Sequence, residues 1–158
     1  MDANEREERF MLACFEDGGG QGFDWRAAGE RVGAALAEAD AMARQLAGRG
    51  FFQALSAAGE GVFTPAGRAL AGELLRAKAR DPRYWTEEQR TFLRVAFERC
   101  RGGNPPFDCG ATAAAAGLTR QSADRIRASL IQRGLLNDAR QMRTFTPAGL
   151  DLARGQFT

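Results

Sequence analysis

The string TRQSADRIR, Thr119–Arg127, gathers the side chains of this chain best suited to chemistry. A threonine hydroxyl, a glutamine amide and the guanidiniums of Arg120, Arg125 and Arg127 lie within nine residues. Their chemistry is hydrogen bonding and charge pairing, not bond making. Arg and Gln carry paired hydrogen-bonding groups that match the major-groove edges of guanine and adenine. A hydroxyl beside the free N–H groups of a helix start suits a phosphate. Gln121 and Arg125 are therefore candidates for base edges, and Thr119, Arg120 and Arg127 for phosphates. Arg140 and Arg143, a short way downstream, are further candidates for phosphates. The plainer reading is a solvated helix face with ordinary charges. Asp124 weighs towards it, because phosphates repel a carboxylate, although cytosine can donate to one.

Covalent chemistry has little to stand on. The chain has no histidine, which removes the usual general base, the usual partner of a nucleophilic Ser or Cys, and the commonest zinc ligand. Cys14, Cys100 and Cys109 are odd in number and scattered, so reduced thiols are expected. The string GGGQG, Gly18–Gly22, has no Lys-Ser/Thr after it and reads as a mobile connection, not a phosphate loop. No catalytic residue, metal ligand or cofactor is expected, and the chain is not expected to be an enzyme.

Composition agrees with a globular protein: 158 residues, 44% apolar and 27% charged. No apolar run approaches the roughly 18 residues of a membrane span, so no membrane partner is expected. The opening MDANEREERF is acidic, unlike a secretory signal, which predicts a cytoplasmic location. A composition rich in alanine and arginine, with a single lysine, points to a GC-rich bacterial or phage genome.

What positions the TRQSADRIR string is a repeat. The string FTPAG occurs at Phe63–Gly67 and at Phe145–Gly149. QLAGRGFF (Gln45–Phe52) aligns with SLIQRGLL (Ser129–Leu136), and ERFMLACFE (Glu8–Glu16) with RTFLRVAFE (Arg90–Glu98), at offsets of 84 and 82. The repeat is about 75 residues long and predicts two tandem domains, 1–80 and 81–158. In the second copy, Thr86 and Gln89 form a capping box for a helix running to about Arg99. A short helix near Cys109–Ala116 ends at Gly117, and Thr119 caps a helix over Arg120–Arg133 that Gly134 closes. LLND and RTF frame a small hairpin, and Thr146 with Pro147 opens a last helix to about Arg154. Three helices, a two-stranded wing and a helix make the winged helix-turn-helix plan. The expected fold is mainly α with small β-hairpin wings, in two copies.

GLTRQSADRIRASLIQRGLL followed by FTPAGLDLA resembles the reading helix, wing and post-wing helix of MarR-type bacterial regulators, where Leu-Thr-Pro-x-Gly commonly follows the wing. The resemblance covers about Gly117–Ala153 and is weaker over Val32–Ala71. It implies a DNA-binding transcriptional regulator that places its reading helix in the major groove of double-stranded DNA. The chain departs from that family in carrying two winged copies and a short wing tip, Asn137–Thr144.

On the reading helix, Ala123, Ile126 and Leu130 share the inward face, leaving Gln121, Asp124, Arg125, Ala128 and Gln132 outward. The same map on the first copy gives Ala37, Asp40, Ala41, Arg44 and Gly48, with Leu36 in place of Arg120. That face has little with which to read bases. Leu36 and Arg44 are candidates for contact with another protein or a second copy of the chain; a purely structural copy is the other reading. Charge divides the same way. Residues 1–80 hold 10 Lys/Arg against 12 Asp/Glu, and residues 81–158 hold 12 Arg against 8 Asp/Glu. The alternative to a regulator is a tandem winged-helix adaptor that binds protein. Trp25, Phe23, Phe51, Phe52 and Phe107 are expected in cores or in packing between the copies, not as base-stacking platforms, and Tyr84 and Trp85 at the join between copies.

Overall fold

A computed structural model describes residues 2–18, 22–101, 103–137 and 143–158. The chain divides into two compact units, Met1–Ala77 and Lys78–Thr158. It is mainly helical, with a small antiparallel sheet. Among the described residues no helix is long and apolar enough to cross a membrane.

The first unit runs α1 (Ala3–Gly18), β1 (Gly22–Asp24), α2 (Trp25–Arg31), α3 (Leu36–Gly48), β2 (Phe52–Gln53), β3 (Glu60–Phe63) and α4 (Pro65–Lys78). The strands form one sheet in the order β1-β3-β2, with Phe23 opposite Gly61 and Phe52 opposite Phe63. Alternation along a strand sends Phe63 and Gly61 to the same side. There Phe23, Phe52 and Phe63 pack tilted and edge-on with centroids 4.5–5.1 Å apart, and Phe15 of α1 closes on Phe63 at 5.8 Å. Each buried ring contributes roughly 1.5–3 kcal/mol by leaving water.

The second unit runs through a single 3-10 turn (Pro82–Tyr84), α5 (Glu87–Cys100), α6 (Cys109–Ala115), α7 (Arg120–Gln132) and α8 (Pro147–Phe157). Its core holds Phe92, Phe97, Phe107 and Phe145. These stand where Phe10, Phe15, Phe23 and Phe63 stand in the first unit, so the repeat is a repeat of core positions. Trp85 packs in this core against Phe157, ring centroids 6.3 Å apart, and Tyr84 is buried in the same unit.

The expected caps are present. Thr86 and Gln89 close a reciprocal capping box on α5. Thr119 caps α7 and Thr146 caps α8, with Pro147 in its first turn. Gly117 and Gly134, like Gly33 and Gly50 in the first unit, end their helices at positive φ, which a side chain would strain.

The sheet differs from expectation in both units. The hairpin of the first unit, β2 and β3, is joined by a third strand, β1, which comes from between α1 and α2. In the second unit the same pairings are present, among the described residues, as two isolated bridges, Phe107–Arg143 and Leu136–Phe145. The turn expected between LLND and RTF falls largely on residues 138–142, outside the described residues. Asn104 helps to hold Phe145: its Nδ2 donates to the Phe145 carbonyl at 2.8 Å, and the Phe145 N–H donates to its Oδ1 at 2.9 Å.

Candidate functional site

Helix α7 owes its orientation to the face it buries. Ala123, Ile126, Ser129 and Leu130 are buried at helical spacing. A polar chain reinforces that packing: Gln89, which completes the α5 capping box, donates from Nε2 to Ser129 Oγ at 2.8 Å, and Ser129 donates to the Ile126 carbonyl at 3.2 Å. Both partners are buried, so the bond costs little to hold and much to leave unmade. The opposite face of α7 is left to solvent.

Arg120, Gln121, Ala128 and Gln132 are exposed on that face. Asp124 is 66% exposed and stands 3.8 Å from Arg127, a pair one turn apart. Such a pair contributes about 0.3–0.5 kcal/mol and opens readily. Thr119 is exposed, but its hydroxyl is occupied: it accepts from the Ser122 N–H and donates to Ser122 Oγ, both at 3.1 Å. Its role in the fold is the cap.

Arg125 is not a free reader. Its side chain is 23% exposed, and Nη2 donates to Glu88 Oε2 in the first turn of α5 and to Ser122 Oγ at 3.3 Å. Sequence reasoning missed Glu88, because the partners lie 37 residues apart.

Arg143 requires a correction. It was expected on the wing surface to meet phosphates; it is 6% exposed and turned into the unit. The cause is strand alternation. Phe145 is a core residue, so Arg143, two residues back, shares its face, and the bridge to Phe107 fixes it there. Arg143 meets the Cys109 thiol, which burial pushes up despite the nearby guanidiniums of Arg143 and Arg127. At the corresponding positions of the first unit stand Gly61 and Trp25, so the two units trade large and small residues there. Arg140, the other wing candidate, lies outside the described residues, as do Gly19–Gln21 of the GGGQG string.

The three cysteines are free, and burial raises the pKa of each. Buried neutral thiols are poor nucleophiles, so none has the environment of a reactive cysteine.

In the first unit, Leu36 opens α3 and is 58% exposed. Ala37, Ala41 and Gly48 are exposed beyond it, and Arg44 pairs with Asp40 at 2.9 Å. The ion pair linking the first and third helices also reverses its polarity between units. Arg6 of α1 meets Glu38 of α3 at 3.1 Å, whereas in the second unit the acid is on α5 and the arginine on α7.

No protein-family model, curated protein or solved structure matches this chain.

Proposed function

We propose that the chain is a DNA-binding transcriptional regulator built of two tandem winged helices of MarR-like kind, without enzymatic activity or cofactor, and that its second unit reads double-stranded DNA through α7. The observation that carries this reading is the two-sided character of α7. One face is fastened by Ala123, Ile126, Ser129 and Leu130, and the other offers Arg120, Gln121 and Gln132 to solvent with Arg127 beside them. A helix that enters a groove needs both: an anchored face to fix its angle and a donor-bearing face to meet the duplex. Arg120 and Arg127 are assigned to phosphates, and Gln121 and Arg125 to base edges, Arg125 after leaving Glu88. Thr119 is assigned to the helix start, where it holds the first turn so that the uncapped N–H groups of Arg120 and Gln121 approach a phosphate. The sign of the charge supports the same half: 12 Arg against 8 Asp/Glu in residues 81–158.

The test is capture of genomic DNA fragments by the purified chain at two salt concentrations, then titration of the best fragment and of a scrambled duplex. Tighter binding of the selected fragment, weakening with salt, is expected. Equal affinity for both duplexes retires the regulator reading.

The first unit favours a second reading, an adaptor that binds protein. Leu36, at 58% exposure, is the large apolar side chain standing open among the described residues, and its neighbours Ala37 and Ala41 leave a low surface around it. Such a face suits another protein or a second copy of the chain. Loss of a captured protein partner, or of self-association, on changing Leu36 or Arg44, together with weak, unselective DNA binding, is the pattern this reading expects.

A further inference from the structure

Glu88 lies on α5, outside the face that α7 offers to solvent, yet it holds the one nitrogen of Arg125 that base reading requires. A guanidinium presents two forks of parallel N–H groups, one end-on through Nη1 and Nη2, the other side-on through Nε and Nη2. Nη2 belongs to both. In this structure its donors go to Glu88 Oε2 and Ser122 Oγ. With Nη2 engaged in this way, neither fork of Arg125 is free for the O6 and N7 acceptors of guanine. The contact is half exposed, with 23% of the Arg125 and 33% of the Glu88 side chain open, so water and a competing acceptor can reach it. Glu88 is itself anchored, because its neighbours Thr86 and Gln89 form the buried capping box that ties α5 to Ser129 of α7.

We propose that Glu88 is a gating residue that competes with guanine for Arg125 and so sets the affinity of the preferred site, a role that rests on the assignment of α7 to DNA. At rest the carboxylate closes both forks. On the preferred sequence, guanine O6 and N7 replace Glu88 and Ser122. On other sequences no acceptor pair repays the opening, and Arg125 stays closed. Glu88 thereby lowers affinity for the preferred site, where Arg125 must open, and leaves sites on which Arg125 stays closed unchanged. The first unit has no counterpart, because Ala41 stands at the position of Arg125 and Arg6 at that of Glu88.

The experiment is a set of titrations of the full chain on three kinds of duplex: the tightest fragment from genomic capture, a series of that fragment with 7-deazaguanine, which lacks N7, in place of each guanine in turn, and a scrambled duplex. The variants are Glu88→Gln, Glu88→Asp, Arg125→Ala and the Glu88→Gln, Arg125→Ala pair. Glu88→Gln should tighten the selected duplex roughly two- to fivefold, the worth of a partly exposed ion pair. The gain should vanish with Arg125→Ala and at one 7-deazaguanine position, and Glu88→Asp, which keeps the carboxylate, should return affinity towards wild type. A gain of equal size on the scrambled duplex, or one that survives Arg125→Ala, shows only the loss of a repelling charge and overturns the proposal. Unchanged or weaker binding by Glu88→Gln overturns it as well. No binding of any duplex by wild type and Glu88→Gln alike defeats the DNA assignment of α7, and this role with it.

Discussion

A β-carbon on Gly67 would sit 1.9 Å from the carbonyl oxygen of Phe51, and one on Gly149 would sit 2.1 Å from that of Leu135. The same close approach occurs in both units, and it explains the last letter of FTPAG. The first turn of α4, and of α8, lies directly on the chain leaving the preceding helix, and only a residue without a side chain fits. Gly67→Ala or Gly149→Ala must push backbone from backbone. Each should cost about 3 kcal/mol or more, the upper end for overpacking, read as a lower urea midpoint. Gly155→Ala is the control. Gly155 lies inside α8 with nothing near its missing side chain, so alanine there should raise stability by up to about 1 kcal/mol.

The threonine of FTPAG bonds in two directions. Thr146 Oγ1 accepts from the Gly149 N–H at 3.0 Å and donates to the Gly134 carbonyl at 2.6 Å; Thr64 does the same with Gly67 and Gly50, at 3.0 and 2.5 Å. It therefore caps the new helix and ties off the old one. Thr64→Ala and Thr146→Ala should each cost about 1–2 kcal/mol by chemical denaturation, and serine at either position should recover most of it. Neutral alanine variants would mean that the caps contribute nothing to stability.

These local devices could be read from the sequence because each is written within a few residues: Thr-Pro-x-Gly, Thr86 with Gln89, glycines at helix ends. Pairing across distance could not. Strand β1 is three residues long, and its partner β3 begins at Glu60. Asn104 acts as a strand surrogate only because the fold brings it to Phe145. Arg143 is a different case. The period-two rule, with Phe145 already placed in the core, was sufficient to turn Arg143 inward; its charge drew attention to the surface instead. Glu88 was out of reach, because its contact with Arg125 depends on how two helices pack.

Buried thiols make stability sensitive to alkali. Burial, aided by the nearby Asp17 carboxylate, raises the pKa of Cys14 well above the ordinary thiol value. The folded chain then keeps its proton after the unfolded chain has lost it. The contribution is complete below about pH 8.5, where the unfolded thiol titrates, and is lost as pH rises further. Cys14→Ala should lower stability at pH 7 by removing packing, yet lose less between pH 8 and 10 than wild type does. Parallel pH profiles for the two proteins would contradict this origin.

DNA binding gives the sharpest division among the arginines. If α7 reads the duplex, Arg125→Ala should cost roughly 1–3 kcal/mol on the preferred fragment and relax its sequence preference; Gln121→Ala should act in the same way at a different base. Arg120→Ala and Arg127→Ala should weaken all sequences alike and reduce the slope of log affinity against log salt by about one each. Arg143→Ala belongs elsewhere. Its side chain is buried, so the variant should lose roughly 0.5–3 kcal/mol of stability while the salt slope of the remaining folded protein stays unchanged. Arg44→Ala in the first unit should leave DNA binding alone, since exposed Ala41 and Gly48 beside it supply no companion contacts. The six variants, titrated on the preferred fragment and on a scrambled duplex at several salt concentrations, separate these roles in one set of measurements. A reduced salt slope for Arg143→Ala would mean that its guanidinium leaves the interior for the backbone of DNA, and that the inward rotamer is only the resting one.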